Sequence, residues 1–344
     1  MKRLVIIGGG FAGTHIAKKL ENKFEVTLID NKDYFEFTPG VLRTIVEPLH
    51  IKKIQSLHTN YLKKAKVILG RVTNLTDKEV YSNNKKIPFD YLVICSGSSY
   101  NLPFKEKDVV IAIRAKHLRN YHHELVKAHK ILIIGGGLVG TEITGEICWK
   151  YGRKKEITIV HSEERLIERN PLAASKYAKR FLEKYGVKIF FNEKIISNKG
   201  KKFTTDKGNH FKCDLAFLCT GIKPNYEFLV KNLKSILNGK NQVKVNEYLQ
   251  AEGYENIFAA GDITSWEEEK TAQHAMLQAI TVIKNLSAIS KAETLTKYHS
   301  RPTILVISLG KYDGLFTYKG LTIHGFIPAF MKAAIERWKM VTYK

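Results

Sequence analysis

An apolar run, the glycine pattern GxGxxG and a helical pattern occur in that order twice in this 344-residue chain, with Gly8 and Gly135 standing 127 positions apart. In the first copy RLVII leads into Gly8, Gly10 and Gly13, a helix runs to about Glu21, and FEVTLID ends at Asp30. In the second, KILII leads into Gly135, Gly137 and Gly140, and EITIV ends at His161. Each copy then passes through a turn-rich antiparallel stretch into an apolar strand that ends in Ser96-Gly97 or Thr220-Gly221.

A glycine triplet alone is weak, but between a strand and a helix each glycine has work to do. The first permits a tight turn, the second lets backbone approach a pyrophosphate, and the third lets helix and strand pack closely. Phe11 and Ala12 open the first helix and Val139 lies in the opening turn of the second; each helix N-terminus offers N–H groups to phosphate. Asp30, 22 residues after Gly8, is placed to accept both hydroxyls of a ribose. The second copy puts His161 there, followed by Ser162, Glu163 and Glu164, so NADH and NADPH both stay open. The fold expected is α/β: two Rossmann-like, three-layer dinucleotide-binding domains, the second inserted in the first, plus a short C-terminal segment. The boundaries expected are 1–103, 104–238, 239–297 and 298–344.

Composition excludes several classes. No apolar run reaches the roughly 18 residues of a membrane span. The start MKRLVIIGGG reads as a first strand rather than a leader, and Lys2 excludes N-myristoylation. Four cysteines without a CxxC pair indicate neither a metal site nor a disulfide framework, and point to a reducing, cytoplasmic setting. The net charge of +23 suits an anionic surface or partner, yet only 11 of 56 basic residues are Arg, so much of it reads as solvated lysine.

Two dinucleotide sites in one chain imply one tightly held redox dinucleotide and one exchangeable one. The order GxGxxG, SG, GxGxxGxExxxE, TGIKPN and AGD resembles the two-dinucleotide-binding-domain flavoprotein superfamily over nearly the whole chain. That resemblance implies FAD at the first fingerprint, with Ser96, Gly97 and Asp262 beside it, and NADH or NADPH at the second, with Glu163 and Gly221. No Cys occurs in residues 14–60, which argues against the disulfide reductases, and Cys148 and Cys219 do not read as a redox pair. The chain is similar to type II NADH:quinone oxidoreductases, and closer to the ferroptosis-suppressor-protein branch of the apoptosis-inducing-factor-like oxidoreductases, through LCTGIKPN, VNEYLQAEGYENIFAAGD, FTPGVLRTIV and VISLGKYDGL. By that likeness Arg43 and the Val72 backbone contact FAD, Thr38 and Pro39 lie beside its ring system, and Glu142 faces the nicotinamide. Gln273 and His274, in AQHAMLQA, are candidate quinone contacts.

The reading this supports is an FAD-dependent NAD(P)H oxidoreductase that reduces a quinone. Two alternatives stay open: a reductase for an acidic carrier such as ferredoxin or rubredoxin, or an NADH-responsive binding protein of the apoptosis-inducing-factor type, although no nucleic-acid module is present. Oligomeric state is open between monomer and homodimer. From Ile323 to Val341 apolar residues recur at spacings of three and four, predicting a helix whose stripe either packs on the core or lies on a membrane surface.

Overall fold

A computed structural model describes residues 1–105 and 109–344. The first unit is built on a five-stranded sheet in the order Ile257–Ala259, Tyr91–Ile94, Arg3–Ile7, Glu25–Asp30, Lys66–Leu69, with every pairing parallel. The chain thus leaves this sheet after Ile94 and returns to it at Ile257, beside the strand it left. Between them lies a second parallel sheet in the order Lys188–Phe190, Glu156–Val160, Lys130–Ile134, Leu215–Leu218. The fold is α/β with two Rossmann-like sheets. Strands buried on both faces explain runs such as Leu4–Ile7 and Ile131–Ile134, which are apolar without alternation. Each turn-rich stretch forms a three-stranded antiparallel sheet, at 72–88 and at 195–212.

The two fingerprints fold alike because the same backbone contacts forbid a side chain at the same positions. A Cβ on Gly13 would lie 1.9 Å from the Gly8 carbonyl oxygen, and one on Gly140 the same distance from that of Gly135. Gly8 and Gly135 sit at φ +100° and +105°, and a Cβ on either would strike the carbonyl of Cys95 or Cys219 at the end of the neighbouring strand. Gly13 and Gly140 are therefore packing residues. The helices that follow, Phe11–Leu20 and Leu138–Tyr151, start without a side-chain cap and without an acidic residue in the first turn. Their first N–H groups are left for another acceptor.

The C-terminal segment is a three-stranded antiparallel sheet, Leu305–Ser308, Gly314–Tyr318 and Leu321–His324, followed by the helix Phe326–Val341. The expected helix forms, and its stripe does not pack on the core. Phe326, Ile327, Phe330, Trp338 and Val341 are each between 62% and 69% exposed. The inward face carries Pro328, Ala329 and Met340, together with Lys332, Glu336 and Lys339. The helix ends on Tyr343, buried with its ring centre 4.2 Å from that of Phe35 and 4.9 Å from that of Tyr61, and with its hydroxyl accepting from Thr14. Among the described residues no helix is long and apolar enough to cross a membrane.

Candidate active site

A cavity of about 780 Å³ opens at the C-terminal ends of the first sheet, where a doubly wound fold places ligands. It is lined by Gly8, Gly10, Phe11, Ala12, Asp30, Thr38, Pro39, Val72, Ser96, Gly97 and Asp262, all singled out from sequence. A Cβ built on Gly10 meets nothing within 4 Å, so that backbone faces open space at the uncapped helix start. Such a cradle suits a pyrophosphate. Asp30 Oδ2 lies 3.1 Å from His58 Nε2, and His58 Nδ1 lies 2.5 Å from the Tyr61 hydroxyl, which fixes the carboxylate from behind. Burial pushes the Tyr61 hydroxyl well above its ordinary range, so it stays protonated. Asp262 accepts from Ser98 Oγ at 2.5 Å, and Lys105 Nζ stands 3.4 Å away. The turn before it is held by Gln278, whose Oε1 accepts from the Gly261 N–H at 2.7 Å.

The far wall comes from the second fingerprint helix and the C-terminal segment: Leu138, Val139 and Glu142 face Ile304–Ile307, Lys332, Ile335, Trp338 and Lys339. Glu142 accepts from the Ser308 N–H at 2.7 Å and is paired with Lys332. It is not half of an exposed glutamate pair: Glu142 and Glu146 are both buried, and Arg43 binds Glu146 at 2.8 Å. Arg43 thus turns its charge toward that carboxylate. Its guanidinium is spent on Glu146 and the Gly310 carbonyl and does not line the cavity, because a nearly buried carboxylate needs a cation beside it.

His274 is held by backbone on both sides of its ring. Its ring nitrogens lie 2.8 and 3.0 Å from the carbonyls of Glu269 and Arg301, so it ties a loop to its helix and does not reach the cavity. Gln273 does line the cavity, with its amide oxygen accepting from the Ile304 N–H. The remaining second-fingerprint residues, Gly135, Gly137, Gly140, His161, Glu163 and Gly221, lie outside this cavity. Gly137 faces open space as Gly10 does, His161 is buried with Nε2 3.4 Å from Glu168, and Glu163 is exposed.

Sequence reading missed Lys332, Lys105 and the buried pair Arg114–Glu36, 3.1 Å apart, whose glutamate lines the cavity. Partners so distant in sequence leave no local signal. All four cysteines are free and buried, and burial raises each thiol, Cys148 to about 12. None is the thiolate that disulfide or sulfide chemistry requires. Among the described residues no cluster fit for a metal ion occurs.

The profile of the pyridine nucleotide-disulphide oxidoreductases matches residues 2–279. The chain belongs to that family. Apoptosis-inducing factor homolog B of Dictyostelium discoideum is 35% identical over 91% of this chain and 89% of its own. Ferroptosis suppressor protein 1 of Taeniopygia guttata is 30% identical over 96% and 92%. The sulfide:quinone oxidoreductase of Aquifex aeolicus shares the fold with a TM-score of 0.86 at 18% identity, covering 100% of this chain and 91% of that one. NDH2 of Plasmodium falciparum, solved in complex with NADH, does so at 0.81 and 16%, covering 99% and 97%. This pyridine nucleotide-disulphide oxidoreductase is thus an NAD(P)H-dependent flavin oxidoreductase of the apoptosis-inducing-factor and ferroptosis-suppressor type, and the family implies FAD as its second dinucleotide.

Proposed function

We propose that this protein carries electrons from NAD(P)H through FAD to a quinone taken up at a membrane surface. The observation that carries the reading is one cavity joining the Gly10 cradle to the C-terminal helix, where Ile335 and Trp338 reach its wall while Phe326, Ile327, Phe330 and Val341 stay exposed. Bound FAD would supply a two-electron centre between donor and acceptor. The chain's own residues bind and orient. The N–H groups after Gly10 would hold the pyrophosphate, Asp30 the ribose hydroxyls and Asp262 the segment between them and the ring, while Thr38 and Pro39 would border the ring. Val139 and Glu142 would border the nicotinamide. Hydride transfer needs alignment and a dry contact more than a nucleophile. The closure of Ser308 and Lys332 on Glu142 holds that wall in place.

The membrane part of the reading follows from the helix being inverted, with Lys332, Glu336 and Lys339 turned inward and the aromatic residues exposed beside Arg337, as suits an interfacial helix. Steady-state rates with NADH and NADPH against quinones, ferricyanide and oxygen test the whole proposal. A protein that is bleached by NAD(P)H yet reoxidised by no quinone would refute the acceptor. Two variants separate the half-reactions. Gly137→Leu should keep its flavin and fold, since its side chain enters open space, but lose bleaching by NAD(P)H by about a hundredfold or more, the effect of roughly 3 kcal/mol of obstruction. Glu142→Gln should slow flavin reduction about tenfold while FAD stays bound, because Lys332 is left without its counter-charge. Stopped-flow reduction at the wild-type rate would make Glu142 purely structural.

A further inference from the structure

The C-terminal helix sends two lysines into the cavity wall, and only one has a carboxylate. Lys332 is held by Glu142. Lys339, seven residues on and so roughly 10 Å further along the same helix, also lines the cavity. Its ammonium lies 3.3 Å from Met276 Sδ and 5.4 Å from the centre of the Tyr343 ring.

Among the described residues, no element packed around Lys339 supplies a counter-charge. On its own helix Lys332 and Glu336 are committed to Glu142 and His50. The helix Ala272–Ile289 offers the Met276 thioether, and the Tyr343 hydroxyl is engaged by Thr14. From the first fingerprint helix come His15, Lys18 and Lys19. Burial, then Lys339, Lys19 and Lys18, push His15 down to about 4, so its ring is neutral, and Lys18 donates to the Thr342 carbonyl. Burial alone brings the Lys339 ammonium down to about 8. An amine placed this way in a cleft, titrating close to working pH and still reached by water, has the properties of a proton donor.

We propose that Lys339 is the proton donor to the acceptor, delivering the proton that completes reduction of a quinone bound beside Met276. This rests on the quinone reading above. NAD(P)H gives two electrons as hydride, and quinone, NAD(P)H and one proton yield quinol and NAD(P)+. Lys339 supplies that proton. Its N–H bond breaks with the electron pair staying on nitrogen, an O–H bond forms on the quinone oxygen, and the amine regains a proton from water. Lys332, bound to Glu142, sits too far along the helix to serve the same oxygen. Lys339 therefore divides the cavity into a donor end at Glu142 and an acceptor end at Met276.

The test uses the full-length flavoprotein, its Lys339→Met variant, and Lys339→Arg, which keeps the charge without titrating near neutrality. With a short-chain ubiquinone analogue, wild-type kcat falls as pH rises through about 8, because the ammonium is the donor form. The Met variant lacks this limb, and its quinone-to-ferricyanide rate ratio near neutral pH drops about tenfold or more, ferricyanide taking electrons without a proton. Lys339→Arg recovers the KM for quinone but not kcat. Competitive acetylation of the same flavoprotein, read by mass spectrometry, gives Lys339 a midpoint near 8, well below that of exposed lysines. A Met variant that keeps the wild-type pH limb and rate ratio, or an acetylation midpoint in the ordinary lysine range, overturns the role. A wild type that reduces ferricyanide but no quinone overturns the acceptor reading instead, and the role with it.

Discussion

Replacing Gly10 by leucine yields a folded but colourless protein. The structure separates two kinds of glycine. At Gly8 and Gly13 a Cβ collides with backbone at 2.3 and 1.9 Å, so any substitution there disturbs the strand and helix themselves and says little about ligands. Gly10 has an extended backbone at φ −82° that any residue adopts, and open space before it. The new side chain therefore costs the apoprotein little, and its whole penalty falls on whatever occupies the cavity. Obstructing a close backbone approach by a few kcal/mol lowers FAD affinity by about a hundredfold or more. The flavin-to-protein absorbance ratio measures the loss. A melting temperature matching that of the flavin-stripped wild type shows that only ligand stabilisation has gone. Full flavin occupancy in Gly10→Leu would remove the first fingerprint from the site.

The same distinction explains what the sequence could disclose. The fingerprints were legible because their chemistry is the absence of a side chain, which leaves a fixed glycine spacing, and because both flanking strands are apolar throughout. The antiparallel sheets at 72–88 and 195–212 announced themselves through their turn residues. Arg43, by contrast, looked like a ligand contact because a cation near a cofactor motif reads the same whether it faces a phosphate or a carboxylate. Only the fold brings Glu146, 103 residues away, into its reach. His274 is alike in this, since a helical histidine does not show that two loop carbonyls will lie within reach of both its nitrogens. Glu142 was found through its motif, but Lys332, 190 residues distant, was not.

The C-terminal helix carried a third kind of ambiguity. Periodicity reports that one face is apolar, and it cannot report which face turns inward. Here the inward face is fixed by specific polar partners: Glu142 for Lys332 and His50 for Glu336, the latter at 3.1 Å. With those two contacts setting the helix rotation, Phe326 and Phe330 are turned outward. Tyr343 then locks the end, its carbonyl accepting from Ser56 and its ring against Phe35 and Tyr61. That seat lies behind His58 and Asp30, so Tyr343 supports the Asp30 carboxylate through Tyr61 and His58.

This geometry decides how the proposed membrane contact of the exposed stripe has to be tested. Deleting the helix would remove Lys332 and Tyr343 with it, and loss of flavin would follow from lost packing whatever the stripe does. Point changes avoid that. Phe326 and Phe330 stack on each other at 6.4 Å and otherwise face solvent, and Phe326 is the first residue of the helix. The double variant Phe326→Asp, Phe330→Asp leaves every inward contact intact, and an acidic residue in the first turn favours the helix dipole. Each phenyl ring buried in an interface contributes roughly 1.5–3 kcal/mol. Losing two and adding two like charges against an anionic surface should weaken binding to anionic liposomes by at least about a hundredfold. Turnover with long-tailed quinones in those liposomes should fall in step, while flavin content and bleaching by NAD(P)H hold. Co-sedimentation with vesicles at low salt provides the measurement. If the double variant binds liposomes as the wild type does, or if the wild type ignores them, the outward stripe has another occupant, and the acceptor must be one that reaches the cavity from water.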